Sequence, residues 1–477
     1  MIPAMVAALA VGGVLSAISQ GRWRVPVAAW LAPVALLIFA AEAHPMVGYV
    51  GVLAALSLAT WFSWRGLIPL PSVALLGFSI GSGAVGALAF LAFGLVLEHA
   101  SVWVAVSIFP LMAVILDFVN ERASRFGDWG STVHALYGDL PLLQSASISP
   151  RLPIGVINWV AAATAALVTA EVRSDAWRPF VVGICCMVAL QVFGGIRLLS
   201  SRTPARTVRV AAICEPDPVG EPSFSEIVAT HLSAHRLDEP EWAALRQAAC
   251  RQTDTVIGLT EREAAAGAEI VAWAEGAGLV PAEDERQFSD RIAAVARRYR
   301  IYIAASLAVL HRDSTLDNKV LVLGPNGQMG PPYHKRHLVP GPEATHTRRH
   351  PSTPLVIDTP FGRIGIAICF DADHHDVWTE LARLGADIVL IPSSDWEAIG
   401  AHHADIAVVR AIRAGVAVVR PARYGTSIAA DRYGRTLATN EYTRGSDHSL
   451  VAHVPIAGPN GSSERGDVHG RGMPATA

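Results

Sequence analysis

Cys369 closes an apolar run, Phe361-Gly-Arg-Ile-Gly-Ile-Ala-Ile-Cys369-Phe-Asp371, whose pattern predicts a strand that carries a thiol to its carboxyl end and gives way at once to polar chain. An α/β enzyme places its reacting groups at such positions. A free cysteine titrates at about 8.5, so attack on an acyl carbon at neutral pH requires a base to take the proton or a cation to favour the thiolate. One group of each kind lies upstream: Glu275 in Val271-Ala-Trp273-Ala-Glu275-Gly276, and Lys335 in Tyr333-His334-Lys335-Arg-His-Leu338-Val339-Pro340. An ammonium also opposes the charge that builds on a tetrahedral oxyanion. Taken singly, the thiol reads as a small packed hydrophobe, the glutamate as a loop carboxylate and the lysine as a solvated charge. Taken together, the three residue types point to nucleophilic acyl chemistry.

The chain around these residues alternates strand and helix signals from Ser201-Arg-Thr-Pro-Ala-Arg206 onward. Val208–Ile213, Glu269–Trp273, Ile301–Ser306, Val320–Leu323, Arg363–Ile368, Asp387–Ile391 and Val416–Arg420 are rich in β-branched residues and predict strands. Glu239–Gln252, Glu283–Arg300, Asp373–Gly385 and His402–Ala414 repeat apolar residues at three- and four-residue intervals and predict helices. Asn326-Gly327 supplies a tight turn between two strands. Mostly hydrophobic strands alternating with helices indicate a soluble α/β domain with helix-covered sheets.

The first half has a different composition. Residues 1–200 carry 17 charged side chains and no lysine, against 62 charged side chains over 201–477. Seven apolar segments, at about 2–19, 25–41, 45–63, 71–97, 101–118, 153–170 and 179–199, have the length and composition of membrane spans. Seven buried helices of a soluble protein would need a polar outer shell that this half does not supply. Met1-Ile-Pro-Ala enters the first segment without a basic stretch or a small-residue cleavage site, which favours a retained anchor over a cleaved signal. Asp117, close to the end of the fifth segment, reads as a helix-ending acid more than as an intramembrane functional group. Arginine counts are weakly asymmetric: Arg22, Arg24, Arg65, Arg122, Arg125 and Arg151 fall on odd-numbered links, Arg173 and Arg178 on even ones. Read literally, that bias puts the second half in the cytoplasm. The expected organisation is a helical membrane domain over 1–200, a linker at 201–206, an α/β domain over 207–456 and a disordered tail over 457–477.

Glu275, Lys335 and Cys369, with Asp395-Trp396 and Asp431-Arg-Tyr-Gly434, resemble the motifs of the nitrilase (carbon–nitrogen hydrolase) superfamily. That resemblance implies an αββα sandwich across about 207–456. It also implies roles: Glu275 as general base, Lys335 as stabiliser of the tetrahedral intermediate and Cys369 as nucleophile. A membrane domain ahead of the triad, with Gly127-Asp-Trp129, Leu140-Pro-Leu-Leu-Gln144-Ser-Ala146 and Lys335-Arg-His-Leu-Val-Pro340-Gly-Pro-Glu343, is similar within that superfamily to the apolipoprotein N-acyltransferases. This narrower resemblance implies a phospholipid acyl donor, a Cys369 thioester and a diacylglyceryl-modified apolipoprotein as acceptor. It further implies a supporting role for Glu343, with a structural salt bridge as its alternative, and a catalytic domain outside the cytoplasm at the cell membrane.

The chain departs from that family's pattern at Cys369-Phe370-Asp371, where Cys-Tyr-Glu is usual, and at Ser394-Asp395-Trp396, where Asn-Asp-x-Trp is usual; no apolar span follows Ile456. Asp371 keeps the charge of the usual glutamate as a supporting residue but reaches one methylene less far. A membrane-tethered amidase, with water as acceptor, and a scaffold built on a degenerate domain are the competing classes; the intact triad disfavours the scaffold. Neither a cofactor nor a metal is expected: Cys185-Cys186 lie in the seventh segment, Cys214 and Cys250 stand apart, and His374-His375 and His402-His403 have no third ligand at a zinc-like interval. A net charge of −3 predicts no nucleic-acid partner.

Overall fold

The structure is a computed structural model, described here for residues 2–169, 175–201, 206–217, 222–233, 237–442 and 449–456. The tail expected to be disordered, 457–477, and most of the linker lie outside the described residues. The chain forms two compact units. One holds Met1–Ser200 together with 372–376 and 395–413, and the other holds 201–371, 377–394 and 414–477.

The helical unit contains α1 (Ile2–Ile18), α2 (Pro26–Glu42), α3 (Pro45–Trp64), α4 (Ser72–His99), α5 (Val102–Ala123), the short α6 (Leu140–Leu143), α7 (Leu152–Val168) and α8 (Trp177–Ser200). Each of the seven apolar segments is thus a helix. Four, α3, α4, α5 and α8, are long and apolar enough to cross a membrane, whereas α1, α2 and α7 are apolar helices of 17 residues. At 1.5 Å per residue those three reach about 26 Å, slightly less than a hydrocarbon core of ~30 Å. Small residues allow close helix approach: a Cβ on Gly83 of α4 would collide with Ser57 Oγ of α3.

The sheet-containing unit opens with β1 (Thr207–Ile213), α9 (Phe224–Ser233) and α10 (Glu239–Ala265). Next come β2 (Ile270–Trp273), β3 (Gly278–Pro281), α11 (Glu285–Tyr299), β4 (Tyr302–Leu310), β5 (Leu316–Leu323), β6 (Tyr333–His334) and α12 (Pro342–His346). After β7 (Leu355–Thr359) and β8 (Gly362–Ile366) the chain runs through α13 (His375–Arg383), β9 (Ile388–Leu390), β10 (Ser393–Ser394), α14 (Gly400–Ala414), which but for its last residue belongs to the helical unit, β11 (Ala417–Arg420), β12 (Ala422–Arg423), β13 (Thr426–Ala430), β14 (Thr436–Glu441) and β15 (Leu450–Pro455). One sheet has the order β15-β1-β2-β4-β5-β6, with β3 also on β4; a second has the order β14-β13-β11-β9-β8-β7.

The inward faces of the two sheets share one core: Val208, Val210, Ile270 and Val320 from the first meet Ile364, Ile366, Ile388 and Val419 from the second. On the outer face of the first sheet, Val256 and Ile257 of α10 and Ile292 and Val295 of α11 pack on Val271, Ile303 and Leu321. Leu381 of α13 lies against Gly365 of β8 on the second. The domain is therefore an αββα sandwich, because strands apolar on both faces need a second sheet on one side and helices on the other.

Two departures from the expected elements bear on the site. β8 ends at Ile366, and Cys369 opens a tight helical turn, Cys369–Asp373, rather than closing the strand. α10 continues to Ala265, well past the expected Gln252, because the polar Gln252 and Thr253 face inward and bond to Glu215 and to the Leu279 carbonyl. Asn326-Gly327 does form a tight turn, with Gly327 at φ +76°.

Candidate active site

Glu275 owes its position to a bulge in the first sheet. β2 pairs with β4 up to Ala272 opposite Ala304, and pairing resumes in β3 with Gly278 opposite Leu307. Six residue steps on one side thus span three on the other, and the surplus chain leaves the sheet carrying Glu275. Gly276 turns at φ +65°, and a Cβ there would meet Phe224 at 3.1 Å and Ala308 at 3.2 Å. Its N–H donates to Ser306 Oγ of β4 at 3.1 Å.

Lys335 follows β6 directly, and its N–H donates to the Asn318 carbonyl of β5 at 2.9 Å. Its side chain reaches Glu275: Nζ lies 2.8 Å from Glu275 Oε1 and 2.6 Å from Glu343 Oε1. Glu343 sits in α12, its other oxygen accepting from Val339 N–H at 2.8 Å. Asn318 Nδ2 donates to the same two oxygens, at 2.7 Å to Glu275 and 3.3 Å to Glu343. Burial opposes the Lys335 charge, but Glu275 and Glu343 outweigh it and hold the ammonium well above the usual lysine range. Burial, joined by Glu275, raises the Glu343 carboxyl despite Lys335.

Cys369 is 4% exposed and adopts φ +47°, an unfavourable backbone for a residue with a Cβ. The turn is held by its own N–H, which donates to the Pro392 carbonyl at 2.8 Å, while Sγ lies 3.9 Å from the Ser394 carbonyl. Ser394 also gives its N–H to Glu275 Oε2 at 3.0 Å, so one residue of β10 touches both the thiol and the carboxylate. Asp371, fully buried, ties the cysteine turn to the lysine segment. Its carboxylate accepts from Ile368 N–H at 3.1 Å, His337 N–H at 2.7 Å, Arg336 N–H at 3.1 Å and Tyr333 O–H at 2.9 Å. Burial pushes its pKa up to about 6 against the pull of those donors and of Lys335.

Glu275, Lys335 and Glu343 are thus in direct contact, and Ser394 and Asp371 connect Cys369 to them. Such a set can remove a thiol proton, deliver sulfur to a carbonyl carbon and oppose the resulting oxyanion. Sequence reasoning missed Asn318, Tyr333 and Ser394. Asn318 had no distinguishing signal, since it lies in the polar run Asp317-Asn318-Lys319 at the start of β5; Ser394 acts through its backbone and had none either. Cys214 is fully buried, and burial pushes its thiol up to about 12.

Other residues singled out in the sequence belong to the helical unit. Asp117 does not end α5, which continues to Ala123; it pairs with Arg151 at 3.0 Å and accepts from Ser131. Asp128, in Gly127-Asp-Trp129, meets Arg410 at 2.9 Å and His134 at 3.2 Å, and Glu121 meets Arg410 at 2.6 Å and Arg413 at 2.8 Å. Burial alone would raise the Asp128 carboxyl, yet Arg410, His134 and Arg413 hold it far below the usual carboxylate range. Trp129 Nε1 donates to Asp373 at 2.9 Å, and His403 bridges Asp395 at 2.8 Å and Asp373 at 2.9 Å. These pairings explain why 372–376 and 395–413 pack with the helices.

Residues 211–457 match the family described as Carbon-nitrogen hydrolase. Among curated proteins, a deaminated glutathione amidase from Synechocystis sp. is 27% identical over 177 residues, covering 34% of this chain and 63% of that protein. The Homo sapiens deaminated glutathione amidase is 29% identical over 137 residues, 25% of this chain and 42% of that protein. The chloroplastic omega-amidase of Arabidopsis thaliana is 26% identical over 198 residues, 37% of this chain and 54% of that protein. The chain spans less than two thirds of the length of these relatives. A crystal structure of an amidase from Nesterenkonia sp. aligns with 54% of this chain and 94% of its own, at 17% identity and a TM-score of 0.41.

Proposed function

The chain belongs to the carbon–nitrogen hydrolase family, and from that premise we propose that it is an acyltransferase that moves a fatty acyl group from a phospholipid to the amino-terminal amine of a diacylglyceryl-modified apolipoprotein. In the first step Glu275 takes the thiol proton, Cys369 Sγ bonds to the ester carbonyl carbon, and Lys335 opposes the oxyanion. The carbon–oxygen bond then breaks, the proton passes to the departing oxygen, and a lysophospholipid leaves a thioester behind. In the second step the acceptor amine attacks that carbonyl, Glu275 removes a proton from nitrogen, and the thiolate departs as the amide forms. Glu343 shares the Lys335 ammonium, and Asp371 keeps the lysine segment against the cysteine turn.

One observation carries this reading: the chain that holds Glu275, Lys335 and Cys369 also holds four helices long and apolar enough to cross a membrane, which suits an acyl donor that lives in the bilayer. The resemblance in the link before α7 supports transfer to an amine over transfer to water. On this reading the protein resides in the cell membrane with its sheet-containing unit outside the cytoplasm. The second reading is a membrane-tethered amidase, favoured by the names of the curated relatives, which are amidases. Incubating the purified full-length protein with phospholipid and a synthetic diacylglyceryl-cysteine peptide separates the two. Acyl transfer adds the mass of one fatty acyl group to the peptide amine; release of ammonia from small amides with no acylated peptide establishes the amidase.

A further inference from the structure

β10 and β12 form a parallel ladder only two residues long, Ser393 beside Ala422 and Ser394 beside Arg423. So short a pair gains little order from its own bonds. Three further bonds from it reach Glu275. The Glu275 N–H donates to the Ser393 carbonyl at 3.3 Å, Ser394 N–H donates to Glu275 Oε2 at 3.0 Å, and Arg423 Nη1 donates to the Glu275 carbonyl at 2.9 Å. Amide, carboxylate and carbonyl of one residue are therefore held by one ladder, the carbonyl by a side chain.

That side chain is costly to place. Arg423 is 1% exposed, and a guanidinium removed from water must recover its solvation from partners. It does so on two further sides: Nη2 bonds to the Glu215 carboxylate, which also accepts from Gln252 Nε2 at 2.8 Å, and the guanidinium carbon lies 3.6 Å from the centre of the Phe224 ring. Phe224 in turn abuts Gly276, the left-handed residue of the Glu275 turn. A neutral donor or a water would satisfy an ordinary turn carbonyl at lower cost. What the rigid two-pronged guanidinium adds is a fixed distance between the turn and the rest of the unit.

We propose that Arg423 is a positioning residue for Glu275, fixing the backbone of the bulge so that the carboxylate stays aimed at the Cys369 proton. This rests on reading Glu275 as the base. The test is the rate at which iodoacetamide alkylates Cys369 in the full-length protein in micelles, read on the Cys369 peptide by mass spectrometry from pH 5.5 to 9. The proteins compared are wild type, Arg423→Lys, Glu275→Gln and the double variant. Arg423→Lys retains a cation beside Glu215, but a single ammonium cannot span both partners in the fork geometry. It is expected to slow alkylation about tenfold at pH 7 and to displace the pH profile upward, toward that of Glu275→Gln. In the Glu275→Gln background the same change should alter the rate less than about twofold, because no carboxylate remains to be aimed. The pair Glu215→Gln with Arg423→Gln removes both buried charges together and should slow the wild-type background similarly; it serves if Arg423→Lys does not fold. Wild-type rates at every pH, or an equal loss in both backgrounds, would overturn the proposal. Alkylation needs neither lipid nor acceptor, so the result stands whatever becomes of the acyl-transfer reading. If Glu275→Gln itself alkylates at the wild-type rate, the base assignment falls and the proposal with it.

Discussion

Replacing Asp371 with asparagine should separate stability from activity in a pH-dependent way. The Asp371 carboxyl is pushed up to about 6 in the folded protein, from 3.8, chiefly by burial. Between those values the folded protein holds a proton that the unfolded chain has released. The stability this group contributes is therefore full below the window and is lost as pH rises through it. Two pKa units correspond to about 3 kcal/mol. Asparagine never ionises, so it escapes that loss. Measured as a difference from wild type, the Asp371→Asn protein should gain about 2 kcal/mol between pH 4.5 and pH 8, or roughly 4–8 °C in the unfolding midpoint of a unit this size. Other titrating groups are common to both proteins and cancel. Activity should move the other way: at neutral pH the amide nitrogen takes the place of one carboxylate oxygen and faces either Ile368 N–H or the N–H groups of Arg336 and His337, and the link between lysine segment and cysteine turn loosens. The assay is thermal unfolding of the sheet-containing unit in the full-length protein, followed by near-ultraviolet circular dichroism at a series of pH values. A difference that stays flat with pH, or that turns against asparagine as pH rises, would refute the reasoning.

Cys369→Ala should abolish turnover while shifting the unfolding midpoint little, since one buried atom is removed at a turn; Cys369→Ser should be nearly as inactive, because a hydroxyl is far less acidic, and residual turnover in purified Cys369→Ala would contradict the mechanism. Lys335→Ala leaves Glu275 and Glu343 buried against each other, so it should destabilise the protein by about 3–5 kcal/mol as well as suppress thiol acylation; an unchanged unfolding midpoint would count against the buried pairing. For orientation, a cysteine at Asp358, exposed at the end of β7, should react with an impermeant maleimide in intact cells or spheroplasts, and protection until the membrane is broken would place the unit in the cytoplasm.

The candidate reacting groups were legible because each stands beside a strong local signal: Glu275 after the apolar β2, Lys335 beside a Tyr-His pair, Cys369 after the β8 run. Order along the chain was enough to name them, but not to show that Lys335 bridges two glutamates. The connecting parts were hidden for physical reasons. β6, β10 and β12 are two residues long, too short for any periodicity to register, yet they carry Ser394 and Arg423 to Glu275. β14, Thr436–Glu441, is polar and partly exposed at a sheet edge, so no apolar run announces it. Arg410 and Arg413 carried no signal of their own in the sequence, and only folding brings them to Glu121 and Asp128, nearly 300 residues earlier. The apolar segments were plain as helices, while their ends, set by Pro26, Pro45 and Pro153 at first turns, decide which are long enough to cross a bilayer.

The most direct test of thioester chemistry at Cys369 is the intact mass of the purified full-length protein after incubation with a phospholipid of defined acyl chains and no acceptor. The expected result is a mass increase of one acyl group, located on the Cys369 peptide, removed by neutral hydroxylamine, accompanied by lysophospholipid and absent from Glu275→Gln and Cys369→Ala. A protein that stays unmodified under these conditions while it hydrolyses small amides contradicts acyl transfer and leaves a membrane-tethered amidase.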